Sequence, residues 1–301
     1  MRVLLIGATG FLGGHVLDLL SATEGTTVVT AGRSPVAASA AHLRLDLGGD
    51  DVAGIGSVLA EASPDAVVNC AGATGGEPAT LAAANATGPA RLATAMLRVR
   101  PAARLVHLGS SAEYGRVPVG VPVTEDAPEC PVGAYGLAKL GGTRAIEVAR
   151  AAGLAAVTLR VFNPVGPGSA ANSLSGRLVA ELDRAIAEGD DVRLGPLGAE
   201  RDFVDARDVA RAVLAALEAS TVDAPVLNVG SGSAVPSRVL AALFTGVAGF
   251  TGRVLEEAAG SARSADVPWQ QADLRLVTTA LGWRPGTDLA ASVRDHWLAT
   301  R

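Results

Sequence analysis

A glycine-rich turn joins a short apolar run to a helix-forming stretch near the start of the chain. The apolar run is Val3–Ile6, and residues 7–13 follow it as Gly-Ala-Thr-Gly-Phe-Leu-Gly. Glycines at this spacing permit a tight turn, a close approach of backbone to a ligand and close packing of the helix on the strand. The N-terminus of a helix also offers amide donors and a partial positive charge to a phosphate.

This strand, turn and helix predict a binding site for the pyrophosphate of a dinucleotide. The same residues are also compatible with a glycine-rich turn in an unrelated fold. The predicted contacts are Gly7, Thr9, Gly10, Phe11, Leu12 and Gly13.

Short apolar runs alternate with alanine-rich amphipathic stretches through the first half of the chain, which predicts α/β architecture with a doubly wound parallel sheet. The predicted strands are Val3–Ile6, Thr27–Thr30, Leu43–Leu45, Ala66–Asn69, Leu105–Leu108 and Ala156–Arg160. The predicted helices are Phe11–Leu20, Leu81–Arg98, Tyr135–Ala152, Asn172–Glu188 and Asp208–Glu218.

The length of 301 residues favours one large unit with a smaller C-terminal lobe. Pro164, Pro167 and Gly168 open a loop after Asn163, where the alternating pattern loosens. We therefore expect a dinucleotide-binding domain over residues 1–163, with a return segment at about 206–230. Residues 164–205 and 231–301 would form the substrate-binding lobe.

Composition excludes several classes of function. The net charge of -5 gives no general attraction to nucleic acid or anionic membranes. The two cysteines, Cys70 and Cys130, are too few and too far apart for a disulfide framework or a paired-cysteine metal site. Glycines, His15 and Asp18 interrupt the apolar first twenty residues, which argues against a signal peptide. We expect a cytoplasmic protein with no metal, no nucleic acid partner and no membrane partner.

The end of the second predicted strand indicates which dinucleotide is bound. NAD-specific sites usually place an acidic residue there for the ribose 2′-hydroxyl, whereas this chain has Ala31, Gly32, Arg33 and Ser34. A guanidinium at Arg33 can pair with a 2′-phosphate, so NADP(H) is favoured and NAD(H) stays possible. An exposed arginine after a strand is also ordinary surface. Further cofactor contacts are expected from Asp46, Leu47, Ala71, Gly72 and Ala73.

A serine, a tyrosine and a lysine form the candidate catalytic group. Tyr135 and Lys139 are four residues apart and so share one helix face, and Ser110 follows the fifth predicted strand. Reducing a ketone requires a proton for the new alkoxide, which a phenol can donate when a nearby ammonium stabilises its ionised form. Lys139 is the only lysine among 25 basic residues, which points to chemistry that arginine cannot supply. The alternative is a tyrosine and a lysine on an exposed helix face.

With these motifs in place, the chain resembles extended short-chain dehydrogenases/reductases of the NAD-dependent epimerase/dehydratase family, over residues 1 to 297. Residues 108–115, Pro131, residues 135–139, residues 201–203 and residues 281–283 are similar in particular to GDP-4-keto-6-deoxymannose reductases. The resemblance implies a Rossmann fold, a homodimer and a nucleoside-diphosphate-4-keto-6-deoxyhexose substrate. It also implies a cofactor contact at Phe162, together with Tyr135 and Lys139, and substrate contacts at Ser111, Asn163, Arg201 and Arg263.

Departures from relatives bear on the reaction. Related 4,6-dehydratases carry an Asp-Glu pair after the catalytic serine or threonine, whereas this chain has Ser111 and Ala112, so dehydration is not expected. If the segment stays extended, Glu113 points to the opposite side. We expect NADPH-dependent reduction of the 4-keto group. An NAD-dependent 4-epimerase, which would use the same three residues, and a non-catalytic NADP-sensing protein are the alternatives.

Overall fold

The computed structural model describes residues 1–37, 39, 41–258 and 267–301. The strands are β1 (Arg2–Ile6), β2 (Thr27–Gly32), β3 (His42–Arg44), β4 (Ala66–Asn69), β5 (Arg104–Ser110), β6 (Ala156–Val161), β7 (Pro164–Val165), β8 (Val192–Arg193), β9 (Glu200–Asp202), β10 (Val204–Asp205), β11 (Val226–Val229), β12 (Ala234–Pro236), β13 (Val254–Leu255) and β14 (Trp269–Gln270). The α-helices are α1 (Phe11–Ala22), α2 (Val52–Ala62), α3 (Pro78–Ala82), α4 (Gly88–Val99), α5 (Ala134–Ala151), α6 (Leu174–Glu188), α7 (Ala206–Glu218), α8 (Ser237–Ala248), α9 (Arg275–Leu281) and α10 (Leu289–Leu298).

Seven strands form the central sheet in the order β3-β2-β1-β4-β5-β6-β11, and every neighbouring pair is parallel. The doubly wound α/β fold predicted from the sequence is therefore confirmed. The strand order reverses between β1 and β4, and in such sheets a ligand binds in the crevice beyond the carboxyl ends of the strands at this point.

Alternate residues of β1 enter two different cores. Val3 and Leu5 pack in one core with helices α1 and α7, whereas Leu4 and Ile6 pack in the other with α2, α4 and α5. Side chains of a strand point alternately to the two faces of a sheet, so a strand covered on both faces is apolar throughout. This explains the unbroken apolar run that starts the chain.

A third core lies outside the sheet, around Phe244 of α8, Leu178 of α6 and Trp297 of α10. The last part of the chain does not all belong to it, since Val277 of α9 and Trp283 pack in the core with α1 and α7. Within the described part of the chain, no helix combines the length and the apolar character needed to cross a membrane.

Several predicted element bounds differ from the structure. Strand β3 starts and ends one residue before the predicted Leu43–Leu45. Helix α2 was not predicted, because Gly54 and Gly56 weaken the helical signal. The side chain of Asp51 accepts from the Gly54 amide and caps this helix.

The predicted continuous helix Leu81–Arg98 is interrupted. Residues Ala83–Thr87 form a π-helical turn between α3 and α4. Pro89 has no amide hydrogen to donate to the carbonyl of Asn85 four residues earlier, so regular helix bonding is lost there. A Cβ atom on Gly142 of α5 would lie 2.2 Å from that carbonyl oxygen, so only glycine lets α5 pack this closely on the turn.

Candidate active site

The glycine turn lies between the carboxyl end of β1 and the start of α1. Gly7 has a φ of +84°, and a Cβ atom on it would lie 2.6 Å from the amide nitrogen of Ala71, which follows β4. A Cβ atom on Gly13 would lie 2.0 Å from the carbonyl oxygen of Gly7. Both positions therefore require glycine for close packing, one of turn on strand end and one of helix on turn.

The first turn of α1 presents backbone amides. The first bond inside this helix runs from the Gly14 amide to the Gly10 oxygen, so the amides of Phe11, Leu12 and Gly13 have no helical carbonyl to bind. Thr9 and Gly10 are exposed at this point. Such a helix start fits an anionic pyrophosphate.

The segment Ala71–Ala73 follows β4, next to the glycine turn, and two asparagines fix it. The buried Asn69 accepts from the Ala71 amide at 3.0 Å. Asn85 donates to the Ala73 oxygen at 2.8 Å and accepts from the Ala73 amide at 3.3 Å. A Cβ atom on Gly72 would lie 2.6 Å from Asn85 Oδ1 and 3.3 Å from Lys139 Nζ, so this segment borders the candidate catalytic group.

The ends of β2 and β3 carry two arginines. Arg33 follows β2 directly and Arg44 is the last residue of β3, paired in register with Gly32. Both side chains are exposed, and neither forms an ion pair with a described residue. Asp46 is partly exposed, whereas the Leu47 side chain is buried in the core, so Leu47 can offer only its backbone to a cofactor.

Ser110 ends β5 and begins a short 3₁₀ turn over Ser111–Glu113. Its hydroxyl oxygen accepts from the Ala112 amide at 3.2 Å, and the O–H can still donate to a ligand. The expectation of an extended segment is wrong here. The turn folds the fully buried Glu113 back, so that Oε1 accepts from the Ser110 amide at 2.7 Å.

Tyr135 and Lys139 lie in the first two turns of α5, against this strand end. Lys139 is only 7% exposed, and its Nζ donates to the Leu108 oxygen at 2.8 Å. Tyr135 is partly exposed. A Cβ atom on Gly136 would lie 2.5 Å from the Ala112 oxygen, so the first turn of α5 packs directly on the turn that follows Ser110.

The charge of Lys139 affects two neighbouring groups, the partly buried Cys70 and the fully buried His107. Burial raises the pKa of the Cys70 thiol to about 12, and the lysine cation opposes that shift. Burial, together with the repulsion of the same cation, lowers the pKa of His107 to about 3. The thiol and the imidazole are therefore neutral near pH 7, which leaves Lys139 as the cation of this part of the site.

The proposed substrate contacts differ in their surroundings. Asn163 donates to the Asp202 backbone oxygen at 3.1 Å. Arg201 is buried and donates to the Glu200 oxygen at 2.8 Å, and burial lowers its pKa to about 10, so it stays protonated at neutral pH. Ser111 is buried, with its backbone oxygen bound by Gln270 at 3.1 Å. Arg263 lies outside the described residues.

Phe162, expected to contact the cofactor, is fully buried beside Tyr114 and Val123. Its amide donates to the Val229 oxygen at 2.9 Å, which joins it to the neighbouring strand. Its side chain therefore packs in the protein interior, and a contact with a cofactor would have to come from its backbone oxygen.

Sequence reasoning missed Asn85 and gave Glu113 no part in the site. Nothing in residue spacing places Asn85 against the segment after β4, because the contact depends on the π-helical turn. The sequence does contain a signal for Glu113, because a serine followed three residues later by a glutamate is the pattern of a helix N-cap. Its partners Thr143 and Arg160 are distant in sequence and become visible only in the fold.

The chain belongs to the NAD-dependent epimerase/dehydratase family, whose profile matches residues 3–230. It is similar to a dTDP-6-deoxy-L-talose 4-dehydrogenase (NAD(P)+) from Kitasatospora kifunensis, with 38% identity over 99% of this chain and 95% of that protein. It is also similar to a UDP-glucose 4-epimerase from Corynebacterium glutamicum, with 30% identity over 100% of this chain and 96% of that protein.

Among solved structures, the fold matches MoeE5 in complex with UDP-glucose and NAD, with a TM-score of 0.85 and 28% identity. The match covers 100% of this chain and 98% of that one. The resemblance to extended short-chain dehydrogenases inferred from the motifs is confirmed. The chain is an enzyme of this family, and its glycine turn and strand ends fit an NAD(P) cofactor.

Proposed function

We propose that this chain reduces the 4-keto group of a nucleoside-diphosphate-4-keto-6-deoxyhexose with NADPH. The observation that carries the proposal is the burial of the only lysine beside Gly72, with its Nζ bound to the Leu108 oxygen two residues before Ser110. Burying an ammonium costs free energy unless hydrogen bonds or charges compensate for the lost water. A lysine with only a surface role would not need to be buried. A buried cation between the end of β5 and the segment after β4 suits a site where charge develops on oxygen.

In this proposal, the O–H groups of Ser110 and Tyr135 bind the ketone oxygen of the substrate. Tyr135 donates its proton to that oxygen as the C4–H bond forms, so that the ketone becomes an alcohol. Lys139 stabilises the phenolate that Tyr135 leaves behind, and a proton from solvent restores the phenol. NADPH supplies the hydride when it is bound.

The residues around the cofactor favour NADPH. A 2′-phosphate would lie near the end of β2, where Arg33 is exposed. The neighbouring parallel strand β3 adds Arg44, in register with Gly32. Two guanidinium groups without ion-pair partners in the described chain suit a phosphate dianion. Net reduction oxidises one NADPH in each turnover, so its cofactor must dissociate, whereas an epimerase retains its NAD. A preference for NADPH therefore fits net reduction better than epimerisation.

Dehydration is not part of the proposal. The two positions after Ser110 hold Ser111 and Ala112, which provide no acid or base. Glu113 is nearby, but both of its carboxylate oxygens accept bonds from the protein, from Ser110, Thr143 and Arg160. The relative from Kitasatospora kifunensis is named as a 4-dehydrogenase of dTDP-6-deoxy-L-talose, which supports the proposed position of the chemistry.

The nucleotide sugar is expected to bind between the sheet and the third core, with Asn163 at the end of the dinucleotide-binding domain and Arg201 in the lobe. Residues 164–205 and 231–301 are proposed as this lobe, apart from the α9 region that packs on the sheet.

A homodimer is also part of the proposal. The apolar side chains of Leu137 and Val148 on α5 are 63% and 71% exposed, which suits a contact with a second copy of the chain. Light scattering of the purified protein, which measures its molar mass, tests whether it is a dimer.

A panel of GDP-, dTDP- and UDP-linked 4-keto-6-deoxyhexoses tests this function, with NADPH or NADH followed at 340 nm. We expect stoichiometric NADPH oxidation with at least one sugar and a 4-hydroxyl product by NMR. Absence of oxidation with every sugar would overturn the proposal.

The second candidate is a nucleotide-sugar 4-epimerase, which the similarity to the UDP-glucose 4-epimerase favours. It predicts interconversion of 4-hydroxyl epimers with no net change in absorbance at 340 nm and with NAD retained on the purified protein. Product analysis of UDP-glucose incubations distinguishes the two functions.

A further inference from the structure

We propose that Glu113 is a positioning residue, whose carboxylate fixes Ser110 relative to the helix that carries Tyr135 and Lys139. The inference rests on the proposed function, because it concerns the group assigned there to the ketone oxygen. Glu113 touches neither cofactor nor substrate in this proposal. It acts through the backbone of Ser110.

The carboxylate connects three elements that meet beneath the site. Oε1 accepts from the Ser110 amide at the end of β5, at 2.7 Å. Oε2 accepts from the Thr143 hydroxyl on α5 at 2.8 Å and from Arg160 Nε on β6 at 2.7 Å. Thr143 lies one helical turn beyond Lys139 and two turns beyond Tyr135 on α5. Glu113 is thus hydrogen-bonded both to Ser110 and to the helix of its two partners.

A carboxylate is the group that these surroundings require. All three contacts are donors, so the glutamate must accept at both oxygens, which an amide cannot do because its nitrogen carries hydrogens. Its charge is fully buried but is compensated by Arg160, which is also fully buried and bonds Glu129 as well. A Cβ atom on Gly109 would lie 2.7 Å from Oε1, so glycine before Ser110 provides the space for the carboxylate.

A simple helix-capping role does not explain these contacts. A capping glutamate returns to the amide of the cap residue, and Oε1 does this for Ser110. The turn is only three residues long, however, and capping makes no use of Oε2. The bonds of Oε2 to α5 and β6 tie the turn to the rest of the site.

A double-mutant experiment separates positioning from general structural support. Glu113→Gln and Thr143→Val are each made in the wild type and in a Ser110→Ala background. For each variant, kcat and the KM values for NADPH and for the 4-keto sugar nucleotide are measured. Misplacing a catalytic group by about 1 Å lowers rates about 100-fold. We therefore expect kcat to fall about 10- to 100-fold for Glu113→Gln, with KM values within about twofold.

In the Ser110→Ala background, the same substitution should change kcat by less than about threefold, because residues acting as one unit are not additive. An equal loss in both backgrounds, or a change confined to KM, would overturn the positioning role. Thr94→Val is the matched control, since among the described residues the Thr94 hydroxyl of α4 bonds only the Ala90 oxygen of its own helix. It should leave kcat unchanged.

A substrate-independent measurement keeps this inference separate from the function itself. Thr143→Val removes one donor to the carboxylate and leaves the buried charge pair intact. Hydrogen–deuterium exchange should then accelerate in the peptide containing Ser110 but not in the β1 peptide. Unchanged exchange at Ser110 would contradict the proposal even if no sugar nucleotide is reduced, whereas lack of turnover by the wild type contradicts only the proposed function.

Discussion

Lys139 Nζ lies 2.8 Å from the carbonyl oxygen of Leu108, and this bond joins α5 to β5 two residues before Ser110. A buried ammonium bound to a backbone carbonyl has a fixed position, which a mobile surface lysine lacks. The contact also leaves Nζ hydrogens for further acceptors, because an ammonium has three donors.

Replacing Lys139 with arginine should abolish most activity although the charge is kept. The planar guanidinium is larger and cannot occupy the space beside Gly72 without displacing that segment. We expect kcat to fall at least about 100-fold, measured by NADPH oxidation. Arg98→Lys, at an exposed position in the last turn of α4, is the reverse control and should leave kcat within about twofold.

The two tyrosines should respond differently to replacement by phenylalanine. Tyr135→Phe removes the proposed acid, so kcat should fall about 100- to 10,000-fold. Tyr114→Phe instead leaves Asn228 Oδ1 without the O–H that donates to it at 2.7 Å. This should lower the free energy of unfolding by about 1–3 kcal/mol in urea titrations. A similar kcat for Tyr135→Phe and the wild type would exclude the assigned acid.

The arginine after β2 should control the choice of cofactor. Arg33→Ala removes a charged donor from the proposed 2′-phosphate site, and such a contact contributes about 1.5–3 kcal/mol. We expect KM for NADPH to rise about 10- to 100-fold and KM for NADH to stay within about threefold. Arg44→Ala should act in the same direction. Equal effects on both cofactors would show that Arg33 does not contact the 2′-phosphate.

His107 should make the folded state sensitive to acid. Burial lowers its pKa from 6.5 to about 3, so between these values the unfolded chain holds a proton that the folded chain lacks. The free energy of unfolding therefore falls as the pH falls through this range, by about 1.4 kcal/mol per pH unit for one proton. Urea titrations from pH 6 to pH 4 measure the slope.

His107→Gln should reduce that slope by about one proton, whatever its effect on absolute stability. His42→Gln is the comparison, since His42 lies in the edge strand β3 and is only half-buried. An unchanged slope in His107→Gln would show that another group dominates acid unfolding.

Much of the fold could be predicted because local patterns report it directly. The runs at Val3–Ile6 and residues 66–68 are apolar throughout, since strands covered on both faces bury every side chain. Helix α2 escaped prediction because its glycines obscure the apolar spacing. The interruption at Asn85 depends on Pro89 and on the packing of Gly142, a combination that periodicity does not reveal.

The sequence could predict those residues of the candidate site that lie at a fixed spacing from one another along the chain. Tyr135 and Lys139 are one helical turn apart, and Gly7 to Gly13 follow a strand, so spacing was sufficient to single them out. Glu113 was different, because its role depends on a 3₁₀ turn and on partners in α5 and β6. The structure also places the Phe162 and Leu47 side chains in the core, which a sequence motif cannot distinguish from a ligand contact.

The burial of Lys139 makes this chain suited to a specific chemical readout. Lys139 is the only lysine in the sequence, so its side chain carries the only ε-amino group. An amine-directed reagent small enough to enter the interior can thus label just one internal position. Mass spectrometry of that adduct, with and without nucleotide, would report occupancy of the cleft without any enzymatic assay.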